Sequence, residues 1–397
     1  MLECGVSAAP DEVRGQVVKA SVVLTKGTEP TEELKKEIQN YVKQNTAPYK
    51  YPRIVVFRES LPKTISGKIQ RNKLEKKESL PMKLCLTSSV VAPYLRDGED
   101  PRAVFRAFRE TGFRCVDFEI RSGYLGEDLE EQAAFWKDLM QELDLTVTQS
   151  HAPMPNPLQD AGALEPALDC MRKSIRFCAL AGFPNLVIHP GARNGNTRDE
   201  FFERNVAFYQ ALIPTAEEYG VTVLIENIGQ YMDPYFLWSG KDLLEMVERV
   251  GHPLFRACWD IGHANHFEYL HVGGTPYENI TALGDKLVAI HAHENVGFFP
   301  DPNPTKRMDM HMMPYSSYYS SVNWDAVLQG LKDVGYTGTF NFESTTPSPQ
   351  TGRPEFRYGG QVVRTLEKVP LQVWKSVTAS LYEIGRFMLE SYGLYEE

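Results

Sequence analysis

From residue 82 onward the chain alternates between short apolar segments and longer amphipathic segments. The apolar segments lack strict alternation of polar and apolar residues, which is typical of parallel strands covered by helices. They are KLCLTSS, CVDFEI, TVTQSHAP, NLVIHPG, VTVLIEN, ACWDIGHA, LVAIHAHEN and TFNFEST. The intervening segments with helical periodicity are 101–110, 129–143, 164–181, 199–219, 241–250 and 324–334.

Eight such strand–helix units predict an α/β protein with a (β/α)8 TIM barrel, a fold that usually takes about 250 residues. A doubly wound open sheet is the alternative, but no glycine-rich dinucleotide-binding loop follows the first strand. The last segment, from residue 371, is predicted to be a long amphipathic helix that covers the barrel or a partner subunit. This helix and the exposed aromatic residues favour a homo-oligomer.

Charge divides the chain into two parts. Residues 1–81 carry 15 Lys and Arg against 10 Asp and Glu, whereas the remaining residues carry 27 against 42 and hold all nine histidines. No apolar run is long enough to span a membrane, and no signal peptide is visible. The six cysteines form no C-x-x-C pair. We therefore predict a cytoplasmic protein with reduced thiols and no membrane partner.

Residues 1–78 predict a small α+β module. PDEVRGQVVKASVVL predicts a turn and a strand, TEELKKEIQNYVKQN a helix capped by threonine, and YPRIVVF a second strand. These segments and LPKTISGKIQRNKL resemble the small C-terminal subdomain of AMP-forming acyl-CoA synthetases, most closely the medium-chain type. The resemblance implies that Lys68, in the SGKI loop, contacts acyl and ATP phosphate oxygens during adenylation.

The large ATP-binding and acyl-binding domain of those synthetases, and its hinge motif, do not precede this module in the sequence. We therefore predict no synthetase activity and interpret Lys68 as vestigial. Residues 1–78 are interpreted as an orphaned fragment or a gene-model join. A junction at 79–81 leads to the barrel at 82–397, where MKLCLTSS resembles the start of a separate protein.

Ionisable side chains end several of the predicted strands of the barrel. In this fold the chemistry lies at the C-terminal ends of the strands, so these side chains are expected to meet at one rim. The carboxylates and imidazoles at this rim are His151, His189, Glu226, Asp260, His263 in a glycine turn, His291, His293, Glu294 and Glu343, with Asp309 and His311 in the loop after the seventh strand.

A buried cluster of carboxylates needs a cation. Without one, Glu226, Asp260 and Glu343 would repel each other and raise one another's pKa. Carboxylate and imidazole donors together suit a divalent metal such as Mn, Co, Mg or Zn. The sequence therefore predicts one divalent metal with Asp260 among its ligands, and no nucleotide cofactor.

The segments TQSHAP, VIHPGA, LIENIGQ, CWDIGHA, IHAHEN, DMHMM and FNFES resemble the xylose isomerase-like barrel superfamily over residues 82–350. This superfamily contains sugar phosphate isomerases and epimerases and also apurinic endonucleases. In its sugar epimerases one metal is held by Glu, Asp, His and Glu from strands five to eight. The resemblance implies that these ligands are Glu226, Asp260, His293 and Glu343, where the acidic–Asn pair after His293 favours it over His291.

The resemblance also implies aldose–ketose isomerisation or C3 epimerisation of a small sugar or sugar phosphate. The metal would act as Lewis acid on an enediolate, while Glu226 or Glu343 takes a proton from carbon and the other returns it. Residues 296–323 are long enough for a lid, whose Lys306 and Arg307 could meet a phosphate. The predicted substrate-binding residues are His151, His189, His263, His291 and Arg193.

Other functions remain open at this point. An apurinic endonuclease would hold three metals, with Asp309 and His311 as additional ligands beside His151, His189, Glu226, Asp260, His263, His293 and Glu343. The acidic barrel argues against nucleic acid, because DNA binding depends on neutralising phosphates. Related barrels include inositol dehydratases and hydroxypyruvate isomerase. A non-catalytic binding protein would instead close the coordination of its metal with protein groups.

Overall fold

The computed structural model describes residues 1–11, 15–46, 50–58, 60–61, 63, 67–69, 81–228, 236–268, 273–295, 311–318, 320–344, 356–358, 361–364 and 369–397. The chain forms two compact units, Met1–Glu78 and Ser79–Glu397.

The N-terminal unit contains a three-stranded sheet and one helix. Strand β1 (Glu3–Asp11) pairs antiparallel with β2 (Gly15–Val23), which pairs parallel with β3 (Ile54–Arg58). Helix α1 (Glu32–Asn45) begins after Thr31, whose hydroxyl accepts a hydrogen bond from the backbone of the third helical residue. The predicted helix and the strands β2 and β3 are confirmed, whereas β1 was not predicted.

The second unit is an eight-stranded parallel barrel. Each of the first six strands pairs with the next one along the chain, and the eighth pairs with the first. A parallel bridge between Ala292 and Phe342 joins the seventh strand to the eighth, so the ring closes. The predicted (β/α)8 barrel is therefore confirmed. Its strands are β4 (Leu84–Thr87), β5 (Cys115–Glu119), β6 (Thr146–His151), β7 (Asn185–Ile188), β8 (Thr222–Glu226), β9 (Phe255–Asp260), β10 (Leu287–His291) and β11 (Phe340–Phe342).

Helices lie between the barrel strands and after them. A short antiparallel pair, β12 (Phe356–Tyr358) and β13 (Gln361–Arg364), precedes the last helix. The helices are α2 (Ala92–Arg96), α3 (Pro101–Arg109), α4 (Leu129–Glu142), α5 (Leu164–Ala181), α6 (Arg198–Gln210), α7 (Ile213–Tyr219), α8 (Gly240–Val250), α9 (Ile261–Glu268), α10 (Pro276–Leu283), α11 (Trp324–Val334) and α12 (Leu371–Tyr392).

The helices differ from the sequence prediction in four places. Helices α2 and α10 lie outside the predicted segments. The segment predicted as one helix over 199–219 forms α6 and α7, and Pro214 lies in the first turn of α7. Proline lacks the N–H that an uninterrupted helix requires there, so a new helix begins instead. Helix α9 was predicted as a glycine turn. Its eight residues, IGHANHFE, are too few to show the repeat of apolar residues every three or four positions that predicts a helix.

The C-terminal segment is part of the barrel unit. Trp374 of α12 is fully buried, and its ring packs near those of Tyr94 and Phe108. The backbone of Met82 pairs with Leu394 and Glu396, at 2.6 and 2.9 Å, so the two ends of the unit are tied together. Among the described residues, no helix has both the length and the apolar character needed to cross a membrane.

Candidate active site

The C-terminal ends of the parallel strands surround a cavity of about 370 Å³. The rim of a TIM barrel collects these strand ends, so side chains far apart in sequence meet there. The described residues that line the cavity are Thr87, Ser89, Glu119, His151, Met154, His189, Glu226, Ile228, His263, His311 and Glu343.

Three carboxylates and one imidazole converge at this rim. Donor atoms of Glu226, Asp260, His291 and Glu343 all lie within 4.8 Å of one another, and we call these four residues the carboxylate cluster. Nδ1 of His291 lies 3.0 Å from Oε1 of Glu226 and 3.2 Å from Oε2 of Glu343. It also lies 3.8 Å from Oδ2 of Asp260. One imidazole nitrogen thus faces all three carboxylates.

Strand ends and one asparagine hold the carboxylate cluster in place. Glu226, Asp260 and His291 are the last residues of β8, β9 and β10, and Glu343 directly follows β11. Asn227 ties β8 to β9, because its amide nitrogen donates to the Asp260 carbonyl at 2.8 Å. Its amide oxygen accepts from the Asp260 N–H at 2.7 Å. The sequence therefore fixes these ligand candidates on rigid elements rather than on loops.

The electrostatics of the cluster favour a bound cation. Burial raises the pKa of Asp260 to about 6, with His263 lowering it and Glu226 and Glu343 raising it. Burial would also raise the pKa of Glu226, but His291 and His189 hold it well below its ordinary value. A divalent cation would keep all three carboxylates ionised, and oxygen donors with one imidazole suit Mn, Co, Mg or Zn. The four residues fit such an ion.

A second group shares Glu226. Nε2 of His189 lies 3.0 Å from Nε2 of His151 and 3.0 Å from Oε2 of Glu226. Nε2 of His151 lies 3.5 Å from the same carboxylate oxygen. Burial would lower the pKa of His151, but the hydrogen bond and charge of Glu226 raise that pKa to about 9. These three residues could also hold a metal ion.

A third group contains only histidines. Donor atoms of His263, His293 and His311 lie within 4.8 Å of one another, and the rings of His293 and His311 stack with centroids 3.9 Å apart. His263 lies in the first turn of α9, where its N–H donates to Asp260 at 2.6 Å. Burial lowers the pKa of His263 to about 4, so its imidazole is neutral at pH 7. A Cβ on Gly262 would lie 2.0 Å from the His293 ring, so this turn requires glycine.

The two histidines of the IHAHEN segment lie in different groups. His293 was predicted as the metal ligand beside Glu226, Asp260 and Glu343, and the structure groups His291 with these three carboxylates. His293 instead joins the histidine group, with its Nε2 3.0 Å from Oδ1 of Asp260. Residues two apart along a strand point to the same side, so His291 and His293 both face the barrel interior. His291, as the last residue of β10, is the one that reaches all three carboxylates.

Not every predicted site residue reaches the cavity. Arg193 was predicted to bind substrate, but it does not line the cavity. Its Nε donates to the Asn196 carbonyl at 3.0 Å, and its guanidinium lies 5.0 Å from the Phe236 ring centroid. Asp309, Lys306 and Arg307 lie outside the described residues. Lys68 is exposed in the N-terminal unit.

Glu294 has a structural place in the molecule. Its carboxylate accepts hydrogen bonds from the Trp324 indole at 2.9 Å, from the Val322 N–H at 3.0 Å and from the Ser321 N–H at 3.1 Å. These bonds tie the end of β10 to the start of α11. Glu294 was predicted at the end of the seventh strand; it lies three residues after β10 ends and does not line the cavity.

Sequence reasoning missed a fully buried aspartate beneath the carboxylate cluster. Oδ2 of Asp117 accepts hydrogen bonds from Gln149 at 3.2 Å and from Asn341 at 2.9 Å. The same oxygen lies 3.4 Å from Nε2 of His291, the nitrogen on the far side of the ring from the carboxylates. The signal was a charged residue in the middle of the apolar strand CVDFE. Asp117 is placed to orient His291.

Two family models match the chain. The model described as xylose isomerase-like TIM barrel matches residues 105–365, and that of the AMP-binding enzyme C-terminal domain matches residues 1–68. The N-terminal 78 residues are 58% identical to mitochondrial acyl-coenzyme A synthetase ACSM3 of Mus musculus. Over 76 residues the chain is 58% identical to the uncharacterized acyl-CoA ligase YtcI of Bacillus subtilis. Each match covers 19% of this chain and only 13% or 14% of the relative.

Solved structures match the barrel. A D-tagatose 3-epimerase-like protein has a TM-score of 0.57 and 21% identity, covering 78% of this chain and 97% of that one. D-psicose 3-epimerase from Clostridium cellulolyticum H10 has a TM-score of 0.57 and 14% identity, covering 78% and 99%. L-ribulose 3-epimerase also has a TM-score of 0.57 and 14% identity, covering 78% and 95%. The fold is therefore shared with these proteins, and the chain belongs to the xylose isomerase-like TIM barrel family.

Proposed function

We propose that the barrel is a divalent-metal-dependent isomerase or epimerase of a small sugar or sugar phosphate. The observation that carries this proposal is the carboxylate cluster, in which Glu226 and Glu343 line the cavity and the imidazole of His291 faces all three carboxylates. The similar structures support the same reaction class by their names, which are D-tagatose 3-epimerase-like protein, D-psicose 3-epimerase and L-ribulose 3-epimerase.

Glu226, Asp260, His291 and Glu343 would hold the metal, with His291 in place of the predicted His293. When bound, a divalent cation supplies Lewis-acid stabilisation of the negative charge that develops on sugar oxygens. Asn227 holds Asp260, and Asp117 faces the outer nitrogen of His291, so two ligands have partners that fix their orientation.

Glu226 and Glu343 would transfer the proton. They extend from β8 and β11, which are separated by two strands, so their carboxylates reach the cavity from different directions. Burial would raise the pKa of Glu343, but the charge of His291 lowers it, so this carboxylate is ionised and able to accept a proton. One glutamate would remove the proton beside the sugar carbonyl, and the other would return a proton to the opposite face.

Three histidines would orient the hydroxyl groups of the sugar. His151, His189 and His263 all line the cavity. Nδ1 of His151 lies 2.9 Å from the Ala152 carbonyl, and Nδ1 of His263 lies 3.0 Å from that of Asn227. The neutral His263 ring therefore carries its proton on Nδ1 and leaves Nε2 as an acceptor for a sugar hydroxyl. His151, with its pKa raised to about 9, is protonated at pH 7 and donates from both ring nitrogens.

One observation favours a second candidate function, an apurinic endonuclease. The carboxylate cluster, the group of His151, His189 and Glu226, and the group of His263, His293 and His311 together could hold three metal ions. The acidic composition of the barrel unit opposes this candidate, because binding to DNA depends on Lys and Arg contacts with phosphates. We therefore place it second.

We also propose a cytoplasmic location and a homo-oligomer. All six cysteines are free thiols, which fits a reducing compartment. Two apolar side chains of α12, Val373 and Phe387, are 48% and 63% exposed and would suit a contact between copies. Sedimentation analysis of the full chain would test the oligomeric state.

Solvent deuterium exchange tests the proposed reaction. The full chain, loaded with Mn, would be incubated in D2O with D-fructose, D-psicose, D-tagatose and their phosphates. We expect deuterium at the carbon beside the carbonyl of at least one sugar, and loss of this exchange in Glu226→Gln and Glu343→Gln. Cleavage of an abasic oligonucleotide without exchange into any sugar would reject the proposal and support the endonuclease.

A further inference from the structure

The cavity has a second polar wall that the proposed reaction does not use. Strands β4 and β8 are four positions apart in a closed ring of eight, so their ends face each other across the cavity. The carboxylate cluster occupies the ends of β8 to β11. Glu119, at the end of β5, lies across the ring from the end of β9, which carries Asp260. Thr87 and Ser89, at and just after the end of β4, line the cavity between Glu119 and Glu343.

Glu119 lacks a partner for one carboxylate oxygen. Its backbone N–H donates to the Ser88 hydroxyl at 2.8 Å, which holds the residue at the end of β5. Its Oε2 is buried but accepts no hydrogen bond, and Glu119 forms no ion pair with any described basic residue. A buried carboxylate oxygen without a donor is costly, so this atom is suited to accept a hydrogen bond from a ligand.

The chemistry of the cavity selects among the ligands that could donate this hydrogen bond. The described lining residues include the carboxylates of Glu119, Glu226 and Glu343 and no lysine or arginine. A phosphate group next to Glu119 would meet like charge at short range, which is unfavourable in a partly buried site. A hydroxyl group is neutral and donates, while the apolar side chains of Met154 and Ile228 suit the carbon chain of a sugar.

We propose that Glu119 is a substrate-binding residue that accepts a hydrogen bond from a hydroxyl group of an unphosphorylated sugar, at the end remote from its carbonyl. This assignment rests on the proposed function, which places the carbonyl at the carboxylate cluster on the other side of the cavity. The Ser89 hydroxyl, 3.2 Å from that of Thr87, lies on the same wall as a further polar contact. Glu119 thereby sets the substrate class as a free sugar rather than a sugar phosphate.

Equilibrium binding to the Mn-loaded full chain tests this proposal without turnover. Calorimetric titrations would compare D-fructose and D-tagatose with their 6-phosphates and 6-deoxy forms, in wild type, Glu119→Gln, Glu119→Ala and the control Glu131→Gln on the outer face of α4. A hydrogen bond to a charged group is typically worth a factor on the order of 10 to 100 in affinity. We expect wild type to bind at least one free sugar more tightly than its 6-phosphate and 6-deoxy forms by such a factor.

The variants separate Glu119 from the rest of the cavity. Glu119→Ala should weaken binding of the free sugar by the same factor and leave the 6-deoxy sugar unchanged, and Glu131→Gln should match wild type. The Glu119→Gln side chain has the same size but no charge, so this variant should show a smaller difference in affinity between the free sugar and its 6-phosphate. Circular dichroism would check that the variant is folded. Three results would overturn the proposal. They are tighter binding of a 6-phosphate than of the free sugar by wild type, an equal loss of affinity for the free and the 6-deoxy sugar in Glu119→Ala, and binding of no sugar by wild type.

Deuterium exchange distinguishes failure of this inference from failure of the proposed function. A preference for free sugars that depends on Glu119, without any exchange, would reject the reaction and keep Glu119 as a binding residue. The opposite result is exchange that is as fast with 6-phosphates as with free sugars, and as fast in the Glu119 variants as in wild type. It would support the reaction and reject the role of Glu119.

Discussion

The two units of this chain differ both in their similarity to known proteins and in the completeness of their functional groups. The N-terminal unit shares 58% identity with acyl-CoA synthetases, yet its Lys68 is exposed on a module that covers only 13% of such an enzyme. The barrel shares 14% to 21% identity with solved epimerases, yet it gathers three groups of residues that could hold a metal ion at one rim. Sequence identity and a complete site are therefore separate properties, and function has to be argued from the site.

The strongest test of the barrel side of this comparison is Glu226→Gln. Glu226 is fully buried, belongs to two of the metal-ligand groups and is a proposed acid–base residue. We expect exchange of solvent deuterium into sugar to fall by on the order of 10³-fold, the middle of the range for a general base. Metal content measured on the same sample should fall as well. A variant that keeps its metal and loses less than tenfold would remove Glu226 from both roles.

Replacing each histidine of the IHAHEN segment tests which one belongs to the metal. His291→Ala should weaken Mn affinity by more than about 100-fold, because His291 faces all three carboxylates. Loss of a residue that contacts only a metal ligand usually costs less than this. His293→Ala should cost less than about tenfold, since His293 lies beside Asp260 and the histidine group and does not face all three carboxylates as His291 does. Competition titrations with a fluorescent chelator give both values. The reverse order would restore His293 as the ligand.

Asp117→Asn tests the residue beneath the cluster. An aspartate facing the second nitrogen of a ligating histidine typically changes metal affinity by about 10- to 100-fold. We expect that loss with little change in the melting temperature, because Asn keeps the size of the side chain. Asp138→Asn, on the exposed face of α4, is the matched control. Equal affinity in both variants would show that Asp117 only completes the buried polar network with Gln149 and Asn341.

Metal affinity should also depend on pH in a defined direction. The pKa of Asp260 is raised to about 6 and that of His291 is raised as well, so in the absence of metal each binds a proton as the pH falls. Protons then compete with the metal for the same atoms. We expect Mn affinity to fall by up to about tenfold per pH unit already at neutral pH, where His291 is protonated, and more steeply below pH 6, where Asp260 binds a second proton. Constant affinity from pH 7.5 to pH 5 would contradict a site built on Asp260.

The smallest effect is expected in the N-terminal unit. Lys68→Ala should leave metal affinity and sugar exchange of the full chain unchanged, because no step proposed for the barrel uses it. Neither wild type nor the variant should exchange pyrophosphate into ATP with medium-chain acids. Acyl-dependent exchange by wild type, lost in Lys68→Ala, would show that the N-terminal unit has its own activity and would overturn the comparison.

The parts of the molecule that could be predicted were those marked by a pattern of consecutive residues in the sequence. Apolar runs that end in Glu226 and Asp260 identified both the strands and the rim. Depth along a strand has no such pattern, so the choice of His293 over His291 relied on the resemblance and on the acidic–Asn pair that follows His293. Asp117 and Glu119 were missed because one polar residue in an apolar run looks like an ordinary strand residue. Their roles depend on neighbours from distant strands, which only the folded barrel brings together. The contacts of Arg193 with Asn196 and Phe236 could not be predicted from the sequence, because they depend on local backbone geometry.

The count of tightly bound metal ions in the full chain tests the central claim most directly. Elemental analysis of the purified protein, with His291→Ala measured in parallel, would give this count. We expect one Mn, Co, Mg or Zn per chain in wild type and almost none in the variant. Three metal ions per chain would contradict a single centre at Glu226, Asp260, His291 and Glu343 and favour the endonuclease. A metal-free protein that binds none when supplied would contradict both functions.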